Sequence, residues 1–497
     1  MSAMENLKMR VACFAVAALM LGAVGCGGGG GSGKGALSPD KDSGKKGLGN
    51  VAVSKEAAAG FDRALDAFAE RDKKGDWAES SCAAVAEQFI AASKAQQAAT
   101  NKPLPEALYN AGLAYQRCDK DAEARAQFQA AASADAGFHR AKAQLALYDF
   151  EKSKNLEGTI STLDQIIRDA KFQNVEGLVS LAALQLERNA ETPDQDGKND
   201  MERAKKNLQR ALAIDDSYMA AFNQLAIFYL EQAKAKADAE SAKGGRKRRG
   251  LVAASTKAKD VNSQQLDLAA LVASQGVRKN PNYAPLHNTA GLIQVELRNF
   301  NGAVKSFATA RRLDPKFFEA HMNYAAVNLG FRGFEEAEKA YRDAIKLKPK
   351  EYEAHLGLAL AIRGQIKLGD NSAVQKAQAS LDEAKKIDGS RAETYYNEAI
   401  LTQEYRTKSG SEKETIPMFE KAAATYKQFI DKAGSAPEFA DAVKRAKERT
   451  QDIEDTVKFI KEGEAAKNAP PPPAPPPAAP EGGGAAPPPA AGGGAKK

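Results

Sequence analysis

The chain has 497 residues, 43% of them apolar but only 7% aromatic, and a formal net charge of +7. That length would hold about three ordinary domains. An Ala-rich, Lys/Glu-laced interior, with Gly and Pro crowded toward the two ends, instead predicts a single all-α architecture. The β-branched runs of a buried sheet are missing. Lys8 and Arg10 against Glu5 leave +1 in the first 25 residues, and the remaining +6 is spread over interspersed signs, so charge alone does not indicate nucleic acid.

Residues 1–25 read as a secretory signal. Lys8 and Arg10 precede an uncharged run from Val11 to Leu21, which ends in Gly22-Ala-Val-Gly25. The run is shorter than the roughly 20 residues needed to span a bilayer. Small residues followed by Cys26 resemble the lipobox of bacterial lipoproteins, although Ala23 stands where Leu is usual. This resemblance implies cleavage before Cys26, lipidation of its thiol and attachment to a membrane through the lipid. An ordinary signal with an incidental cysteine is the competing reading. Residues 26–53, Gly-rich from Gly27 to Gly49, suit a flexible tether. Gly27, in place of an Asp, after the cysteine implies the outer membrane and its periplasmic side.

A repeat follows. Gly291, Ala303, Phe307, Ala310 and Pro315 recur 34 residues later as Ala325, Ala337, Tyr341, Ala344 and Pro349. Small residues let two helices approach, one large ring fills the space between them, and proline stops the second helix. In spacing and residue type this resembles the tetratricopeptide repeat. The resemblance implies an α-solenoid of stacked hairpins, since one hairpin cannot bury its apolar face alone. Looser copies run outward through Gly112/Phe128, Leu163, Ala182/Leu208, Ala226/Ala269, Ala359/Leu381 and Ala399/Tyr426, with polar insertions at 190–200 and between Tyr229 and Ala269. Phe61–Phe68 and Trp77–Ile90 read as a first hairpin. About eight to nine hairpins are expected over 54–432, then a capping helix over 433–464 and a Pro/Ala/Gly tail over 465–497. The tail cannot bury a core and suits an extended spacer.

Cys13 departs with the signal, and Cys82 and Cys118 remain, 36 residues apart on neighbouring hairpins. In an oxidising compartment a bridge between them persists. Two buried thiols on separate faces is the other open reading.

His287, His321 and His355 share the fourth position of successive first helices. Repeats stack at about 8–10 Å, whereas the ligands of one zinc lie about 2 Å from it, so the slot is read as structural and no metal is expected. His139 has no catalytic context. Asn110, Asn323 and Asn397 share the sixth position, which in tetratricopeptide proteins lines the concave groove. The resemblance makes them candidate contacts to the backbone of an extended peptide. Arg246, Lys247, Arg248 and Arg249 concentrate cations in an insertion; behind a secretory signal they suit an anionic partner or a solvated loop, and not nucleic acid. Gly28–Lys34 lacks the Ser/Thr and the strand–helix context of a phosphate loop.

No nucleophile elbow, dinucleotide fingerprint or zincin helix is present, so neither an enzyme, a cofactor nor a small-molecule substrate is expected. The layout of lipobox, Gly-rich tether, irregular repeats and Pro/Ala tail resembles the tetratricopeptide lipoproteins of the myxobacterial adventurous gliding-motility machinery. That implies other envelope-complex proteins as partners. Lipoproteins that assemble outer-membrane β-barrels or pilus secretins are the alternative, and a cell-wall-binding accessory subunit is a third reading.

Overall fold

The computed structural model describes residues 38–39, 45–46, 52–74, 77–243, 259–367, 369–408 and 412–467. The expected signal, Cys26, the cations Arg246–Arg249 and the chain from 468 onward lie outside them. Among the described residues there are nineteen α-helices, arranged as nine hairpins and one final helix. A two-residue antiparallel pair, Ser38–Pro39 with Lys45–Lys46, sits within the expected tether. No helix of the described residues is long and apolar enough to cross a membrane.

The hairpins are Lys55–Lys74 with Glu79–Thr100, Pro105–Gln116 with Asp121–Ala134, His139–Ser153 with Leu156–Asp169, and Val175–Arg188 with Asp200–Ile214. Met219–Lys243 pairs with Lys259–Lys279, Ala284–Glu296 with Phe300–Leu313, and Phe318–Gly330 with Phe334–Leu347. Tyr352–Arg363 with Asn371–Ile387 and Ala392–Glu404 with Glu412–Ala433 complete the array, a tetratricopeptide-type α-solenoid. Ala440–Lys467 closes it and extends three residues into the stretch expected as tail.

Local chemistry starts and stops these helices. Asn155, Asn174, Asn199, Asn299 and Asp370 each precede a helix and accept from the amide three residues on, at 3.0–3.1 Å, which satisfies an otherwise orphaned donor. Phe300–Leu313 and Phe334–Leu347 both end two residues before a proline, Pro315 and Pro349.

Ala303, Phe307, Ala310, Ala337, Tyr341 and Ala344 are fully buried, and so are Ala124, Phe128 and Ala131 in the second hairpin. The apolar clusters cross repeat boundaries; one runs without a break from Ala143 in the third hairpin to Phe307 in the sixth. A β-carbon on Gly291 would lie 2.4 Å from Phe307 Cε1, and one on Gly112 would lie 2.6 Å from Phe128 Cε1. Tyr341 turns to the next repeat instead, where a β-carbon on Gly357 would lie 2.2 Å from its Cζ. Ala325, in the slot of Gly291, is therefore tolerated.

The polar insertion 190–200 is ordered around Asp200. Its buried carboxylate takes Arg188 in a two-pronged pair at 2.7 Å, Arg203 at 2.6 Å and the amide of Ala190 at 2.8 Å. Burial opposes the charge, but these donors overcome it and hold the group below its ordinary pKa. The first two hairpins are joined differently. Cys82 and Cys118 are bonded, with Cα atoms 6.3 Å apart, rather than facing separate ways. Beside them Arg117 grips Asp72 through two 2.8 Å bonds and lies over the Phe68 ring.

Two outcomes follow from this packing. Gly291→Ala gains about 1 kcal/mol of helix propensity but loses about 1–3 kcal/mol to overpacking against Phe307, so its thermal midpoint should fall; a rise would show that the ring is free to yield. Cys82→Ser with Cys118→Ser removes a 36-residue crosslink, at a cost of about 3–4 kcal/mol in the chain-entropy account. In a stacked array that loss should concentrate in the first two hairpins, as faster amide exchange over 55–134 than over 284–404.

Candidate protein-binding face

From the third hairpin to the ninth, each first helix packs on the first helix of the next repeat, a closeness the second helices do not share. The array therefore curves with its first helices on the inside. Side chains at the second, fifth, sixth and twelfth positions of those helices make the contacts between successive first helices.

The sixth position is occupied by Asn110, Gln144, Ser180, Gln224, Thr289, Asn323, Gly357 and Asn397 in turn. The three expected asparagines do not share one state. Asn323 is 2% exposed and donates to Asn288 Oδ1 at 2.9 Å. Asn397 donates from Nδ2 to the carbonyl of Glu393 at 2.8 Å and accepts from Arg363 Nη1 at 2.9 Å. Asn110 is half-buried and makes no side-chain hydrogen bond to the described residues. Of the three, only Asn110 has its whole amide uncommitted among the described residues. In the fifth repeat Gln224, 1% exposed, has neither amide atom paired. Its neighbour Asn223 accepts from Thr289 Oγ1 at 2.6 Å.

A second cluster was not anticipated from the repeat pattern. Arg140, at the second position of the third repeat, lies with its guanidinium 4.9 Å from the centre of the Tyr109 ring and pairs with Glu176, at the second position of the fourth. Burial, reinforced by the Glu176 charge, pushes the Tyr109 phenol up to about 12. Burial and the same carboxylate raise Tyr218 well above its ordinary value. Tyr218 is half-buried. Comparing the second position across repeats would have exposed Arg140 and Glu176 as a pair.

The histidine slot has a structural use. His287, His321 and His355 each place Nε2 2.8–2.9 Å from the carbonyl of Pro281, Pro315 and Pro349, just past the preceding helix. Tyr395 does the same to Gly389 at 3.0 Å. The rings thus satisfy carbonyls of the loop that follows each terminating helix. At His321 the Arg311 Nε–H donates to Nδ1 at 3.0 Å, so the proton sits on Nε2. Burial, with Arg311 adding to it, lowers the pKa of His321 and keeps the ring neutral. No group of three His, Cys, Asp or Glu able to hold a metal is found among the described residues. Outside the concave face, a groove of about 640 Å³ runs between Glu412–Ala433 and Ala440–Lys467, floored by Ala423, Ala424, Ile453 and Val457.

No protein-family profile and no curated protein sequence matches the chain. Solved structures resembling it include PilF of Pseudomonas aeruginosa (16% identity, TM-score 0.37, covering 54% of this chain and 95% of that one). A tetratricopeptide repeat protein from Parabacteroides merdae is 15% identical, with a TM-score of 0.35 over 63% of this chain and 99% of that one. YrrB, described as a tetratricopeptide protein with an unusual peptide-binding site, is 15% identical, with a TM-score of 0.31 over 48% and 97%. The likeness is one of helical stacking alone.

Electrostatics at the seventh-to-eighth repeat junction make a pH prediction. Burial and the adjacent Glu353, which is held by Arg391 at 2.5 Å, raise the Glu351 carboxyl to about 7. The fold therefore favours its protonated form, and that stabilisation, present below the ordinary carboxylate range, is lost as pH rises through about 7. Glu351→Gln should leave the thermal midpoint nearly unchanged near pH 4 and raise it by about 2–4 °C near pH 8, on the order of 1 kcal/mol. An equal effect at both pH values would contradict the raised carboxyl.

Proposed function

We propose that the chain is a periplasm-facing protein-interaction scaffold, held at the bacterial outer membrane by a lipid on Cys26, and that it works by binding and not by catalysis. The observation that carries this reading is the concave face. Nine hairpins form one array, and from the third to the ninth the first helices pack on one another along an inner surface. The side chains there, such as Asn110, Arg140 and Tyr218, are polar or aromatic and still reached by solvent. Such a surface suits an extended polypeptide. Rings supply contact area at low conformational cost, and amides and guanidinium groups pair with backbone and carboxylate.

The membrane assignment rests on Gly22-Ala-Val-Gly25-Cys26 and the Gly-rich residues after it. The Cys82–Cys118 bond supports the same compartment, since disulfides persist where the environment oxidises. Within this class the layout fits a component of the myxobacterial gliding-motility machinery, with other envelope proteins as partners.

The test is crosslinked capture of the full-length protein from separated inner- and outer-membrane fractions, beside a Cys26→Ser control. Recovery with outer membrane and motility proteins, lost in the control, is the expected result. Co-purification with β-barrel or secretin assembly proteins would redirect the partner assignment. Recovery in the soluble fraction whatever residue stands at 26 would remove the lipid anchor from the account.

A further inference from the structure

The last described helix has no partner of its own. Ala440–Lys467 packs on Glu412–Ala433 as earlier first helices pack on the second helix before them, but no second helix follows it among the described residues. The side on which one would lie is open. There a groove of about 640 Å³ runs between the two helices, floored by Ala423, Ala424, Ile453 and Val457 and reaching Ala465 near the helix end. Ala424 and Ala465 are exposed, so apolar surface faces solvent where the array stops. Such an end favours stacking on other apolar surface unless something covers it.

Charge narrows what can cover it. The charged side chains of the lining form three pairs: Lys427 with Glu454 and Lys461 with Glu420 across the groove, each at 3.0 Å, and Lys458 with Glu462 along one helix at 3.9 Å. The rim is therefore neutral and offers no surplus charge to an ionic ligand. All six side chains are more than half exposed, so moving them aside costs little. An uncharged segment of small apolar residues fits such a groove, and one begins where the groove ends. Lys467 closes the helix two residues past Ala465, Asn468 follows, and from Ala469 to Pro480 the sequence holds only proline and alanine.

We propose that residues 469–480 fold back along this groove and cover the open end of the array. From Ile453 to Ala465 the helix rises about 18 Å, the span of about six residues in the polyproline conformation, and Pro470–Pro477 exceeds that length. Proline brings no backbone N–H to lie unpaired over an apolar floor, and its stiffness leaves little freedom to lose on docking. Asn468 is of a type that ends helices in the left-handed conformation, which turns the chain back. Attachment a few residues away gives a local concentration in the millimolar range, so a weak contact suffices. The inference is independent of what the concave face binds.

The test reads how accessible the groove is. Ala424→Cys is placed in a Cys13→Ser, Cys26→Ser chain, where Cys82 and Cys118 are bonded to each other and leave it as the free thiol. Its rate of reaction with dithiobis(nitrobenzoate) is measured in the full chain and in one ending at Lys467, which keeps every described helix. Shortening the chain should speed the reaction about fivefold or more, the factor expected if the groove is covered about four-fifths of the time. Lys444→Cys, exposed near the start of the same helix, should react alike in both chains. A Gly/Ser segment of equal length in place of 469–480 should speed Ala424→Cys as shortening does. Equal rates in the full and shortened chains overturn the inference. Equal protection by the Gly/Ser segment does so too, because any attached chain would then cast the same shadow. Protection that grows with protein concentration assigns the groove to a second copy and overturns it as well.

Discussion

In the second, sixth and seventh hairpins the array depends on an aromatic ring filling a place where a facing helix has almost no side chain. Phe128 and Phe307 close on Gly112 and Gly291, and Tyr341 closes on Gly357 of the next repeat. Each contact lets two helices approach closely enough to bury both, and none suffices alone. Stability therefore accumulates by neighbours, and a defect in one contact is felt mainly by the two repeats that share it.

Polar chemistry is distributed along the same axis with different jobs. Asp200 gathers Arg188 and Arg203 to hold an insertion against the core. The histidine slot closes helix ends, with Pro281, Pro315 and Pro349 supplying the carbonyls. Burying such groups is tolerable because almost every donor meets an acceptor. Gln224, with neither amide atom paired, departs from that rule, as do the Tyr341 hydroxyl and Arg125 Nε on second helices.

Much of the fold was legible before any coordinates. The 34-residue recurrence of small–ring–small residues, with proline behind it, located the sixth and seventh hairpins and the slot of each buried ring. The site was less legible. Asn110, Asn323 and Asn397 occupy one sequence position, yet only Asn110 keeps its amide uncommitted, because Asn288 and Arg363 from preceding helices take the other two. A repeat alignment specifies which face a residue occupies and says nothing of which neighbour reaches it first. The bond between Cys82 and Cys118 is of the same kind: spacing allowed either a bridge or two separate thiols, and the stacking of the second turn on the first hairpin brought their Cα atoms to 6.3 Å.

By itself the sequence determined the helical class, the repeat period, the residues of the core and the helix ends. Those properties follow from interactions within about one repeat length, which propensity, capping and apolar spacing encode directly. Tertiary structure decided which inner-face groups are spent on one another and which stay open. The packed stack brings Arg140 to Tyr109 and Glu176, and Arg449 of the final helix to Glu404. Those pairings join residues tens of positions apart, and their outcome turns on distances that only the packed helices set.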